Sequence, residues 1–141
     1  MTRLKHGATI ERRITPDEAD LFRFSAALFL PHLIHYNAAY AAADGHADLL
    51  VHGPLQGAYL VELVERWLSA ENGHIVGFRY RHVAPAYVNQ LLVCQATVTG
   101  RHPARRDAEH FDNVELAVEA RDPAGGRATT VGTVTGLVGR T

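Results

Sequence analysis

The chain has 141 residues, enough for one domain with a real core and too few for two ordinary ones. Its 14 basic and 15 acidic side chains leave a formal net charge of -1, which excludes a surface built to neutralise nucleic-acid phosphates. Cys94 is the one cysteine, so an internal disulfide framework and a cysteine metal cluster are excluded, and a reducing cytoplasm is the expected setting.

The N-terminus, MTRLKHGATIERRIT, lacks the apolar core of a secretory signal, and no apolar run approaches the ~20 residues of a membrane span. A soluble, unprocessed protein without a membrane partner is expected. Residues 8–14 are a short strand candidate. Thr15-Pro16-Asp17-Glu18 then reads as a capping box, with threonine as cap and proline in the first turn. The helix that follows carries a stripe of Leu21, Phe22, Phe24, Ser25, Leu28 and Phe29, and Pro31 ends it. LPHLIHYN, residues 30–37, is too rich in proline and histidine for a regular element and reads as an ordered loop. Residues 37–43 form a short alanine-rich helix stopped by Asp44-Gly45.

Residues 50–68, LVHGPLQGAYLVELVERWL, are the longest segment that reads as a buried helix. Gly53 fits its N-cap and Pro54 its first position, where proline loses no needed hydrogen bond. Apolar residues cover most of its circumference, so this helix needs protein on nearly every side. After Asn72-Gly73 the pattern becomes extended, with strands expected at 75–83, 91–100, 111–121 and 128–138. Asp122-Pro123-Ala124-Gly125-Gly126 is a turn, and HPARRDAEH, residues 102–110, is expected to be a mobile polar connection. Helices followed by strands without intervening helices define an α+β class, with an antiparallel sheet wrapped around the long central helix.

The order of elements and two local motifs resemble the hot-dog fold of the MaoC-like hydratases and dehydratases, in the branch containing mesaconyl-CoA hydratase and hydroxyacyl-thioester dehydratase. FRFSAALFLPHLIHYNAAYA is similar to the family's F-R-F-S-A-L-T-F-N-x-H-R-I-H-Y-D-x-x-Y-A, and LVHGPL to its V-H-G-P-L. FRYRHVAPAYVNQ is similar to the strand and proline that follow the family's helix. The likeness runs from about residue 8 to about residue 100, and it implies one hot-dog domain over residues 1–141.

The resemblance implies that His35 is the catalytic histidine and that the backbone N–H of Gly53 belongs to the oxyanion hole. The chemistry implied is reversible addition of water to a 2-enoyl thioester, on CoA or an acyl carrier, with no cofactor. The histidine moves a proton, and N–H groups at the helix start stabilise charge on the thioester oxygen. The family also places aspartate or asparagine five positions before the histidine, where this chain has Leu30. Leu33 replaces a family arginine and Asn37 an aspartate, so His32 or Tyr36 is a candidate to take over the missing acid–base role.

Each residue also has a plainer account. His35 reads equally as a buried histidine bonded to its loop. His32 and His35 have a metal-compatible spacing, but no cysteine or carboxylate adjoins them, so no metal is assigned. His52 is structural or substrate-lining, with its ring near the site mouth. Arg79 and Arg81 alternate along one strand and face one side; with Arg101, Arg105 and Arg106 they read either as a solvated basic patch or as a binding surface for CoA phosphates. Leu30, His32, Tyr36, His52, Arg79 and Arg81 are therefore the substrate-binding candidates beside His35 and Gly53.

Three functions compete: a hydratase or dehydratase, a catalytically degenerate subunit paired with an active MaoC-like partner, and an acyl-thioester hydrolase using Glu62 or Glu65. A homodimer or higher oligomer is expected, because one hot-dog unit leaves a sheet edge and a long helix partly uncovered.

Overall fold

The computed structural model describes residues 4–106 and 109–140, without the side chains of residues 105, 106 and 109. In chain order the elements are β1 (Thr9–Ile14), α1 (Glu18–Leu28), a 3-10 turn (Leu33–His35), α2 (Ala38–Ala43), α3 (Gly53–Ser69), β2 (Gly73–His82), β3 (Leu92–Arg106), β4 (Glu109–Asp122) and β5 (Arg127–Gly139).

Local chemistry sets the helix ends. The cap of α1 is Asp17 rather than Thr15: its carboxylate accepts the Asp20 N–H at 2.8 Å, while the Asp20 carboxylate accepts the Asp17 N–H at 3.1 Å. A carboxylate facing the N-terminus of a helix is favoured over a hydroxyl further upstream. Phe29, at φ 52, ends α1 in the left-handed region two residues before Pro31. At α3 the cap position falls on His52 and Gly53 is the first helical residue, one step earlier than expected.

The five strands form a single antiparallel sheet in the order β1-β3-β4-β5-β2. It wraps around α3, which makes this a hot-dog fold. Strand alternation places Val114, Leu116, Val118 and Ala120 of β4 inside, with Glu115 and Ala117 outside. These side chains meet Leu60, Val64, Trp67 and Leu68 of α3 in one core cluster. A second cluster, Leu21, Ala41, Leu49, Val51, Leu55, Ala86, Val88 and Leu92, lies under α1 and α2. The start of α3 is shared between the helical lobe and the sheet.

The stretch 102–110 is not a loop. β3 and β4 stay paired from Val93↔Arg121 out to Arg106↔Glu109, so the expected polar connection is the end of a long hairpin and only 107–108 lie outside the described residues. β1 pairs with β3 only as far as Thr97, which leaves the far half of β3 as an edge where Pro103 is tolerated. Arg101 is committed to structure there: it donates to Asp112 at 2.8 Å and to the Leu4 carbonyl at 2.9 Å, and Arg140 reaches the other Asp112 oxygen at 2.6 Å. Of the basic cluster, Arg101 is thus held in ion pairing within the fold, and the Arg105 and Arg106 side chains lie outside the described residues. No helix among the described residues is long and apolar enough to cross a membrane.

The two kinds of contact differ in weight. Leu60 is 0% exposed between helix and sheet, so Leu60→Ala is expected to cost about 3 kcal/mol in urea unfolding. Asp112→Ala leaves two arginines that can turn to water, and a loss of only about 1 kcal/mol is expected in the same measurement.

Candidate active site

Three short segments hold the site together. The Leu50 N–H donates to the Ile34 carbonyl at 3.1 Å, the Val51 N–H to Ala86 at 2.9 Å, and the Val88 N–H to Leu49 at 2.9 Å. The 3-10 turn, the strand-like approach to α3 and the segment after β2 are thus tied side by side. Between them runs a cleft of about 410 Å³, lined by residues that include His35, Gly53, Gln56 and His82, with Ile34, Leu50 and Pro85 supplying apolar wall.

The pinned Leu50 carbonyl orients the first histidine. His35 Nδ1 lies 2.9 Å from it, and a carbonyl only accepts, so Nδ1 carries the proton and Nε2 holds a lone pair. Partial burial lowers the His35 pKa, the Leu50 hydrogen bond raises it less, and nearby His32 lowers it further. At neutral pH His35 is a neutral imidazole with the tautomer of a general base.

Beneath it lies His52, 1% exposed, with its ring stacked on His35 at 3.7 Å between centroids and 18° between planes. His52 Nε2 is 2.7 Å from Ser25 Oγ, while its Nδ1 is buried without a partner among the described residues. Phe24 closes the outer side edge-on at 5.0 Å. Burial, then the neighbouring His35, pushes the His52 pKa down to about 4. His52 is therefore a floor under His35, not a residue at the mouth of the cleft.

The opposite wall comes from β2. A Cβ on Gly53 would stand 2.2 Å from His82 Nε2, and one on Gly57 would stand 2.9 Å from the Tyr80 ring. These two glycines, one helical turn apart, let the inward side chains of β2 lie directly on α3. His82 Nδ1 is 2.9 Å from Thr130 Oγ1, whose proton goes to Gln56 Oε1 at 3.0 Å. The hydroxyl has one proton and has spent it, so it accepts from His82 Nδ1–H and leaves the His82 Nε2 lone pair unused. Partial burial lowers the His82 pKa.

The sequence candidates divide in space. His35 and Gly53 share the cleft. His32 caps the 3-10 turn by accepting the Ile34 N–H at 3.3 Å and does not line the cleft. Tyr36 donates to the Pro31 carbonyl at 2.6 Å and lines a separate apolar groove with Phe22, Ala26 and Phe29. Leu30, half-buried, donates its N–H to Ser25 and lines neither. Arg79 and Arg81 do face one side, but it is the side opposite Tyr80 and His82, away from the cleft. Glu62 is ion-paired with Arg12 and Arg66, and Glu65 accepts the Ile75 N–H at 3.1 Å, so neither carboxylate serves the cleft as a hydrolase would require. Among the described residues no group of three His, Cys, Asp or Glu side chains is placed to hold a metal ion. Sequence reasoning missed Ser25, Gln56, His82 and Thr130. The one signal for His82 was alternation, since Phe78, Tyr80 and His82 share a strand face opposite Gly53 and Gly57.

A hot-dog sheet around α3, with an imidazole facing the start of that helix, defines a MaoC-like class of fold and site. The family pattern described as hydroxyacyl-thioester dehydratase type 2 matches residues 2–88, and the chain belongs to that family. It is 44% identical over 79 residues to the mesaconyl-C(4)-CoA hydratase of Chloroflexus aurantiacus, covering 55% of this chain and 27% of that protein. It is 33% identical over 108 residues to the mitochondrial hydroxyacyl-thioester dehydratase type 2 of Schizosaccharomyces pombe, covering 76% of this chain and 36% of that one. The chain thus spans little more than a third of the length of these relatives at most. Among solved structures, the unliganded R-hydratase PhaJ1 of Pseudomonas aeruginosa superposes with a TM-score of 0.85 over 98% of this chain and 84% of that one, at 22% identity.

The buried histidine makes stability acid-sensitive. The folded pKa of His52 is about 4, below the ordinary histidine value, so the unfolded chain binds the extra proton first as pH falls. The stability due to neutral His52 is complete above pH ~6.5 and is lost as pH drops towards ~4, a change on the order of 3 kcal/mol. Urea unfolding at stepped pH should show this loss, and His52→Gln should flatten it.

Proposed function

We propose that this chain hydrates a 2-enoyl thioester, or dehydrates the corresponding 3-hydroxyacyl thioester, using His35 as the acid–base group. The observation that carries the reading is the His35 Nε2 lone pair, fixed by the Leu50 carbonyl and set across one cleft from the first turn of α3. Membership of the dehydratase family and the names of its two curated relatives support the same chemistry.

In the hydration direction His35 Nε2 takes a proton from water while the water oxygen bonds to C3. The electrons of the double bond move towards the thioester oxygen. The N–H groups at the start of α3 have no intrahelical acceptors, so they and the helix dipole stabilise the enolate that forms. The imidazolium then returns its proton to C2. The missing side chain at Gly53 lets the His82 ring close over that backbone, at one wall of the cleft. The substrate is an acyl-CoA or acyl-carrier thioester, and no step needs a cofactor.

The functional unit we propose is a homodimer, formed from one hot-dog domain per chain and working in the cytoplasm. β2 is a ten-residue strand at the edge of the sheet, with Val76 42% exposed and Tyr80 39% exposed. A long strand edge of this kind is covered or paired in native proteins, and antiparallel pairing of two β2 strands would make one continuous sheet.

Purified protein should consume a short 2-enoyl-CoA, followed by loss of enoyl absorbance, and His35→Ala should lower kcat/KM by at least ~100-fold. A panel of enoyl-CoA chain lengths that gives no turnover would overturn the assignment. Light scattering at micromolar concentration should return twice the chain mass; a monomer would refute the dimer.

A further inference from the structure

We infer that His82 is a second catalytic residue, whose Nε2 accepts a hydrogen bond from the attacking water and holds it against His35. The inference deepens the hydratase reading above and rests on it. Its ground is a matched pair of imidazoles on one cleft. Each ring has Nδ1 tied down as a donor, His35 to the Leu50 carbonyl at 2.9 Å and His82 to Thr130 Oγ1 at 2.9 Å. Each therefore offers its Nε2 lone pair, and both residues line the cleft with Gly53.

The tie on His82 is itself enforced. Gln56 is 2% exposed, and its Oε1 accepts from Thr129 at 2.7 Å and from Thr130 at 3.0 Å. That buried acceptor consumes the Thr130 proton, so Thr130 cannot donate to His82, and the Nδ1–H tautomer is selected from two residues away. His82 is itself exposed, and its tautomer is nonetheless fixed by this buried pair. The ring also rests against Gly53 so closely that any side chain there would displace it. His82 consequently stands over the helix turn assigned to the thioester oxygen.

The loop itself lacks a partner for His35. Leu30, five positions before His35, is apolar and does not line the cleft. A water held by a single acceptor swings about that bond; a second acceptor fixes where its oxygen points, which is the part of catalysis that orientation supplies. In the proposed step the water donates one hydrogen to each Nε2, its oxygen bonds to C3, and His35 takes the proton it holds. The double-bond electrons move to the thioester oxygen, and the same proton passes from His35 to C2 as the enolate collapses. His82 keeps its hydrogen bond to the new hydroxyl and neither gains nor loses a proton.

Both rings must be neutral for this step. The titratable groups around them are His32 beside His35, His52 beneath it, and Tyr80 at 5.4 Å from His82; the Ala84–Pro85–Ala86 wall contributes none. Burial lowers the pKa of both rings, so at neutral pH the pair is ready, and protonation of either one blocks it.

Two substitutions separate a catalytic from a structural role. In His82→Asn the amide can keep the donor to Thr130 but removes the cleft acceptor. In His82→Gln the longer side chain restores an acceptor near the Nε2 position. Against wild type on a 2-enoyl-CoA, His82→Asn should lose ~100-fold in kcat with little change in KM, and His82→Gln should recover to within ~10-fold. Thermal unfolding should stay close to wild type in both. The acid limb of the kcat/KM profile should steepen with two protons in wild type and with one in His82→Asn. If wild type turns over while His82→Asn remains within ~3-fold of it, or if the two variants are equally impaired, the role of His82 is overturned and the hydratase reading stands. An inactive wild type overturns both.

Discussion

Close approach between the first two turns of α3 and the end of β2 governs this molecule, and it exists because two side chains are missing. Gly53 and Gly57 leave a flat strip on the helix, into which Tyr80 and His82 settle at distances that a single methyl group would forbid. The sheet can then curl round α3 tightly enough to bury Leu60, Val64, Trp67 and Leu68 on one side while leaving a cleft at the helix start. Packing and chemistry meet at the same turn.

Hydrogen-bond direction does the rest. Neither histidine of the cleft is free to choose its tautomer: one faces a carbonyl, the other a hydroxyl whose proton is already committed to a buried amide. These are choices made by backbone tethering and by Gln56, not by the histidines. His52 differs in kind. It is buried, stacked on His35 and, among the described residues, short of one hydrogen bond, and burying an unpaired polar atom costs on the order of 1–3 kcal/mol. The fold tolerates that cost to keep a flat aromatic surface under the His35 ring.

What could be read from the sequence followed the range of the interaction. The long helix, the polar turn at 122–126 and the alternation of β4 depend on neighbours in the chain, and each was visible. So was the loop that carries His35, because proline and histidine there exclude regular structure. The cap of α1 was misplaced by two residues because Thr15 and Asp17 are both good caps, and only the reciprocal bonds with Asp20 decide between them. HPARRDAEH reads as a loop because its polar sequence carries no apolar alternation to betray a paired extension. Ser25 with His52, and His82 with Thr130, are joined across 27 and 48 residues, and no local pattern announces such pairs.

The β3–β4 hairpin also shapes how the sheet presents itself. Beyond Val98, β3 runs on with β4 but without β1, so its outer side is a row of backbone groups with no strand beside it among the described residues. Pro103 falls in that stretch and lacks an N–H, and Arg101 throws a charged side chain across to Leu4. An incoming strand meets an interrupted ladder and an ion-paired cluster there. At the other end of the sheet β2 contains no proline, and past its irregularity at Ile75–Gly77 its backbone runs in regular register from Gly77 to His82, so a foreign strand finds a template there that the β3 edge lacks.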